Sequence, residues 1–298
     1  MSGFWTAILL SVVSALCYGA GAVTQRRLAD QIGGTFDRRA LTALMRHRLW
    51  WTALALNAAG ALLHVAALAF GTLTVVQPLG TLALVFALPW AARWAARPVT
   101  LREWHGAILT VAALSVMLVV APTSGGSTLS PATTAAVLAV VLLSVGALIA
   151  AAHRIPRPRW SSQVHAVAAG IAFGAASALT KTFTDEIAAG GALHALTHPA
   201  ALGTIALAAA GALLSQAAYR GVAVGAPLAT MSLANPVAAV LIGIGVMGEE
   251  YLGGSWGVGV AVISGMVAIR GVHLLAATTD PPHVPRTPTR PRVGALHR

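Results

Sequence analysis

Long apolar runs alternate with short polar breaks along the whole chain. Nine runs approach the roughly 20 residues that an α-helix needs to cross the hydrocarbon core. They lie at 3–23, 50–70, 72–92, 104–121, 132–152, 164–183, 199–219, 227–247 and 255–275. The pattern predicts an all-α polytopic membrane protein. The polar breaks differ in kind. Residues 28–48 are too polar to span, and 40–45 predict a short interfacial helix. Residues 122–131 are uncharged and rich in Gly, Ser and Thr, which reads as an external loop. From about residue 278, prolines recur among arginines. Such a stretch builds no core and is expected to be a disordered, solvated tail rather than a lipid-binding one.

Composition supports a bilayer as the solvent. The 298 residues are 57% hydrophobic and only 9% charged, against about 25% charged in soluble chains. The mean hydropathy is +0.78. The formal net charge of +11 reads as loop anchors and not as a nucleic-acid footprint. A single cysteine, Cys17, excludes a disulfide framework and a cysteine-based metal site. The first run has no basic residue before it, while Arg26 and Arg27 follow it. It is therefore expected to be a retained helix and not a cleaved signal.

The basic residues set the expected topology. With the N-terminus outside and nine crossings, Arg26, Arg27, Arg38, Arg39, Arg46 and Arg48 face the cytoplasm. So do Arg93, Arg97, Arg102, Arg154, Arg157, Arg159, Arg220 and Arg270, and those of the tail. Of the 19 Lys and Arg residues, only Lys181 falls outside. The expectation is a multi-pass protein of the cell membrane, N-terminus out and C-terminus cytoplasmic.

The chain also repeats. Residues 56–63 and 207–214 are the same string except that Asn57 stands against Ala208. Pro78-Leu79-x-Thr81 and Pro227-Leu228-x-Thr230 follow the two copies. Tyr18-Gly19-Ala20 in the first span matches Phe173-Gly174-Ala175 in the sixth, and Trp104 matches Trp256. Spans one to four thus return as spans six to nine, with the fifth as connector. The expected units are 1–121, 122–162 with the connector helix, 163–276, and the tail 277–298. Five crossings separate the copies, so they run in opposite directions. Such inverted repeats are characteristic of secondary transporters with a midplane site.

The Tyr-Gly-Ala and Phe-Gly-Ala spans and the Pro-Leu-x-Thr helix starts resemble the drug/metabolite transporter superfamily. So does Glu249-Glu250 followed by Gly253, Trp256, Ile263 and Gly265. The match is to its EamA-like repeat, up to about Ala276. Typical members have ten spans, and this chain has nine. The nine-span layout also resembles the NIPA branch, which is associated with magnesium transport. The resemblance implies a transporter and leaves the substrate open.

Polar residues inside spans are the site candidates, because hydrocarbon penalises them. Asn57, Gly60 and His64 share one face of the second span. His64 either binds substrate or a proton, or is satisfied by a neighbouring helix. Its repeat partner is Ser215, beside Gln216. Gln77 precedes Pro78 and Asn235 precedes Pro236. Proline frees a carbonyl inside a helix, and such interruptions point to transport sites or to plain packing kinks. Asn57, His64, Gln77, Gln216 and Asn235 are therefore candidate substrate-binding residues. Asp185, Glu186, Glu249 and Glu250 cluster at the external ends of spans. They are candidates for coupling or cation entry, or for an ion pair with Lys181, or are solvated helix ends.

His194 and His198 have i, i+4 spacing, but Pro199 disfavours helix at His198 and no third ligand is fixed, so no metal site is expected. Gly170-x-x-x-Gly174 suits close helix packing, and a homodimer is compatible with it. No cofactor and no enzymatic motif is expected.

The leading reading is a transporter of a small organic metabolite or drug-like solute by alternating access. The implied partners are the bilayer and a small-molecule or ion substrate, without nucleic acid. The alternatives are a NIPA-like magnesium or divalent-cation transporter and a non-transporting membrane scaffold.

Overall fold

The computed structural model describes residues 2–32, 38–121 and 128–277. Among them are eleven α-helices and no strand. They are α1 (Ser2–Ile32), α2 (Arg38–Arg46), α3 (Arg48–Leu68), α4 (Leu73–Thr81), α5 (Ala83–Trp94), α6 (Leu101–Val119), α7 (Pro131–Arg154), α8 (Pro158–Thr197), α9 (Pro199–Ala218), α10 (Gly225–Met247) and α11 (Ser255–Ala276). Nine of the spans they form are long and apolar enough to cross a membrane, with α4 and α5 sharing one at Val75–Trp94. The polar break does hold a short helix, α2. Most of the expected external loop (122–127) and the tail beyond residue 277 lie outside the described residues.

Two helices exceed the runs that hydropathy marks. Helix α1 continues to Ile32, and no Gly or Pro lies between Ala22 and Ile32 to stop it. Arg26 pairs with Asp30 one turn on, and the Arg27 guanidinium lies 3.5 Å from the Trp94 ring centroid. The first supports the helix within its own extension, and the second holds the extension against the end of α5. Helix α8 runs on to Thr197, but Gly191 interrupts it at φ 83°, ψ 169°, a conformation essentially confined to glycine.

The two copies pack alike. Helix α1 lies against α3 and against α4 and α5, while α8 lies against α9 and α10. In both, a glycine of the second span receives an aromatic ring of the first. A Cβ on Gly60 would lie 3.2 Å from three carbons of Tyr18, and one on Gly211 would lie 2.7 to 3.0 Å from three carbons of Phe173.

Small residues also bring backbones together. A Cβ on Gly19 would meet Ala83 O of the third span at 3.0 Å, and one on Gly170 would meet Met231 O of the eighth, also at 3.0 Å. Without a hydrophobic drive between helices in lipid, such close contact supplies the packing energy. Helix α6 packs on α11, where Gly106 and Gly271 oppose each other, and α7 packs mainly on α8.

The bundle has a basic end and an acidic end. Arg27 and Trp94 meet at the first, where the short turns after α5, α7 and α9 carry arginines. Lys181, Glu249 and Glu250 lie at the second. The turn between α5 and α6 is fixed by a buried carboxylate. Glu103 accepts a two-pronged bond from Arg97 (2.6 and 2.9 Å) and closes a capping box with Thr100.

Candidate functional site

A buried polar contact joins the two copies near the basic end. Gln25 of α1 donates from Nε2 to Ser215 Oγ of α9 at 2.9 Å. Ser215 passes its own hydrogen to Ala212 O at 2.8 Å. Gln216 donates from Nε2 back to Gln25 O at 3.0 Å. Gln216 is only 1% exposed, and its Oε1 has no hydrogen-bond partner among the described residues. A buried acceptor without a donor is costly.

The candidates of the second and third spans lie elsewhere. Asn57 presses its amide on Gly21 of α1, where a Cβ would lie 2.6 Å from Oδ1. His64 faces Gly80 of α4. Its Nδ1 is buried with no hydrogen-bond partner among the described residues, and a Cβ on Gly80 would lie 3.6 Å from it. Gln77, just before Pro78, is half-buried. Asn235 sits in mid-α10, where its backbone N would lie 3.1 Å from a Cβ on Gly170.

Counting the rise along each helix from the basic end, Asn57 and Asn235 lie about 14–15 Å up and His64 about 24 Å. Gln216 is near that end itself. The candidates therefore string along the depth of the bundle and do not share one layer.

The two proline motifs behave differently. Thr81 donates its hydroxyl to Pro78 O at 2.6 Å. Leu82 N bonds not to that carbonyl but to Leu79 O, at 3.2 Å. The turn tightens, and the span divides into α4 and α5 at Leu82. In the second copy Thr230 reaches across to Gln163 of α8, and α10 continues unbroken through Pro236. Only the first copy carries the interruption, about 13 Å into its span.

At the acidic end, Lys181 Nζ lies 2.5 Å from Glu249 Oε1, tying α8 to the end of α10. Glu249 is placed by Gly248, which ends the helix at φ 73° and lets Glu249 N bond to Gly243 O at 3.0 Å. His194 Nε2 lies 3.2 Å from Glu186 Oε2, across the Gly191 kink. Asp185 is half-buried and Glu250 is exposed. Burial raises the Tyr251 hydroxyl above the ordinary phenol range, so it stays a neutral donor. His198 does not extend the helix with His194. It caps α9, its Nδ1 accepting from Ala200 N at 3.2 Å. No group of three or more His, Cys, Asp or Glu among the described residues is arranged to hold a metal.

Gln25 and Glu103 were not among the sequence candidates. Gln25 had a legible signal, being a polar residue one helical step beyond Tyr18 and Gly21 on α1. Glu103 had the Thr-x-x-Glu spacing of a capping box.

No family model matches the chain. It is 27% identical over 254 residues to an uncharacterized protein of Corynebacterium glutamicum, covering 84% of this chain and 87% of that one. It is 24% identical to the magnesium transporter NIPA4 of Mus musculus and 25% identical to that of Homo sapiens. Each of these two matches runs over 123 residues, 40% of this chain and 30% of the relative. No solved structure matches.

Proposed function

We propose that this chain is a secondary transporter that carries a small solute across the cell membrane by alternating access. The observation that carries this reading is the duplicated packing of Tyr18 on Gly60 and Phe173 on Gly211. Five crossings separate the copies, so the same three-helix unit occurs in opposite directions, as in inverted-repeat transporters. Residues 1–121 and 163–276 are the moving halves, and 122–162 connects them. The arginine distribution favours the basic end in the cytoplasm, with the N-terminus outside. The partial similarity to NIPA4 favours transport in general.

In this conformation the Gln25–Ser215–Gln216 contact closes the cytoplasmic end. Opening inward requires the two hydrogen bonds between α1 and α9 to part, and Gln216 Oε1 is then poised for solute. The pathway is lined by neutral amides and an imidazole: Asn57, His64, Gln77, Gln216 and Asn235. Such a lining suits a small organic solute with hydrogen-bonding groups.

A second reading is a magnesium or divalent-cation transporter. The NIPA4 similarity is the observation that favours it. Mg²⁺ takes oxygen ligands and keeps several waters. Here Glu249 is held by Lys181, and Glu186 lies beside His194, so a cation entering at Glu249 must displace the Lys181 ammonium. Asp185 and Glu250 are the remaining carboxylates at that end. We place this reading second.

The test compares metabolites in cells lacking and overproducing the chain, followed by proteoliposome uptake of any solute that changes. Solute-specific uptake that falls in Gln216→Leu supports the first reading. Magnesium-dependent growth restored to a transport-deficient host, and lost in Glu249→Gln, would reverse the order. No solute and no cation movement by well-folded protein would remove both.

A further inference from the structure

Helices α6 and α11 pair where two glycines meet. A Cβ on Gly106 would lie 2.9 Å from Gly271 O, and one on Gly271 would lie 2.7 Å from Gly106 O. Gly106 stands near the start of α6 and Gly271 near the end of α11, so the two helices run antiparallel and cross close to the basic end. Helix α10 packs against both, and α4 and α5 pack against α6, which covers one side of the pair. The other side is open. Ile108 of α6 and Ile263, Met266 and Val267 of α11 are exposed there. An open apolar side of a membrane-spanning pair faces lipid chains.

Three basic residues interrupt that side. Arg102 and His105 of α6 and Arg270 of α11 are all exposed. Arg102, His105 and Ile108 follow one another at three-residue steps along one face of α6. Arg270 continues the row of Ile263, Met266 and Val267 on α11. Counted by helical rise from the glycine crossing, His105 lies about 1.5 Å and Arg102 about 6 Å toward the basic end, and Arg270 about 1.5 Å the other way. No carboxylate answers them. Glu103, the only acidic residue of the two helices, is buried and held by Arg97. Arg102 and Arg270 have no ion pair among the described residues. Arg270 stands about 9 Å inside the end of α11. A guanidinium on a lipid-facing surface is costly unless it reaches an anion at headgroup level, and the headgroups at this end lie in the direction of Arg102.

We propose that Arg102, His105 and Arg270 hold the headgroup of one anionic phospholipid, whose chains lie along Ile263, Met266 and Val267. Guanidinium groups take phosphate oxygens in a two-pronged manner, and His105 keeps an N–H donor in either protonation state. A zwitterionic lipid would bring its own cationic amine into this cluster and be disfavoured by like charge, whereas an uncharged glycerol headgroup brings none. The lipid bridges α6 to α11, and so the last span of one copy to the last span of the other. The site lies on the outer surface and does not depend on the transport reading.

The experiment is native mass spectrometry and thermal unfolding of the full chain in detergent, titrated with phosphatidylglycerol, phosphatidylcholine or inorganic phosphate. The proposal expects one phosphatidylglycerol retained per chain, with a raised Tm, and neither effect from phosphatidylcholine or phosphate at the same concentration. Affinity for phosphatidylglycerol should fall about tenfold or more in Arg270→Gln and in Arg102→Gln. Both side chains are exposed, so the lipid-free variants should unfold with the wild type. Arg159→Gln removes an exposed cation of the α7–α8 turn and should bind as the wild type does. Unchanged affinity in either Arg270→Gln or Arg102→Gln overturns the proposal. An equal loss in Arg159→Gln also overturns it, since net charge alone would then explain binding. So does equal binding of phosphatidylcholine, or a rise in Tm with inorganic phosphate that matches the lipid's, since that is a site for a free anion.

Discussion

The ring of Tyr18 lies so close over Gly60 that a Cβ there would be 3.2 Å from three of its carbons. The Phe173 ring does the same over Gly211, more tightly, at 2.7 to 3.0 Å. Gly60→Ala and Gly211→Ala should therefore both destabilise the chain through overpacking. A cost of about 1–3 kcal/mol is expected, with Gly211→Ala the worse of the two. Thermal unfolding in detergent measures this, and equal stability of both variants and the wild type would contradict it.

Arg97 and Glu103 give a second prediction. The Glu103 side chain is almost wholly buried and takes both prongs of Arg97. Arg97→Ala strands that carboxylate and should cost about 3 kcal/mol or more. Arg97→Lys loses the fork but keeps the charge, and should fall between. Limited proteolysis at the α5–α6 turn, alongside Tm, reads the outcome.

Lys181 and Glu249 should matter less for stability. The lysine is 37% exposed, so solvent and salt screen the pair, and Lys181→Met should cost about 1 kcal/mol or less. In the transport reading, Lys181→Glu and Glu249→Lys each slow uptake, and the double exchange restores it in part. Recovery in the double variant is the measured quantity; none would mean that the pair only decorates the surface.

Thr81 sits at the break in the third span. Thr81→Val removes a hydroxyl that competes with Leu82 N for Pro78 O, and Leu82 N should then shift toward that carbonyl as in an ordinary helix. Hydrogen exchange at Leu82 should slow, while Thr230→Val, whose partner is Gln163, should leave its own helix unbroken. Identical exchange at Leu82 in Thr81→Val and wild type would contradict this.

The helical spans and the repeat were legible because lipid imposes a simple rule. Each crossing needs a long apolar run, and Gly60 and Gly211 could be matched by string alone. Helix ends were less legible. Helix α1 passes Arg26 because Asp30 and Trp94 take up its charges, and neither partner is visible in a hydropathy run. The candidate residues were found one by one, but their grouping was not. Gln216 pairs with Gln25 of another helix, and His64 turns to Gly80, because contacts between distant helices depend on how each face rotates. The break at Leu82 falls within a motif that both copies share, so the motif alone did not mark it.

In the transport reading the Gln25–Ser215–Gln216 contact closes one end of an alternating-access pathway. The most direct measurement is solute uptake by a chain carrying Gln25→Cys and Gln216→Cys, with Cys17→Ser removing the native thiol. A short cleavable bifunctional maleimide then ties α1 to α9. Uptake should stop on cross-linking and return when the linker is cleaved. Full uptake by the cross-linked protein would contradict it.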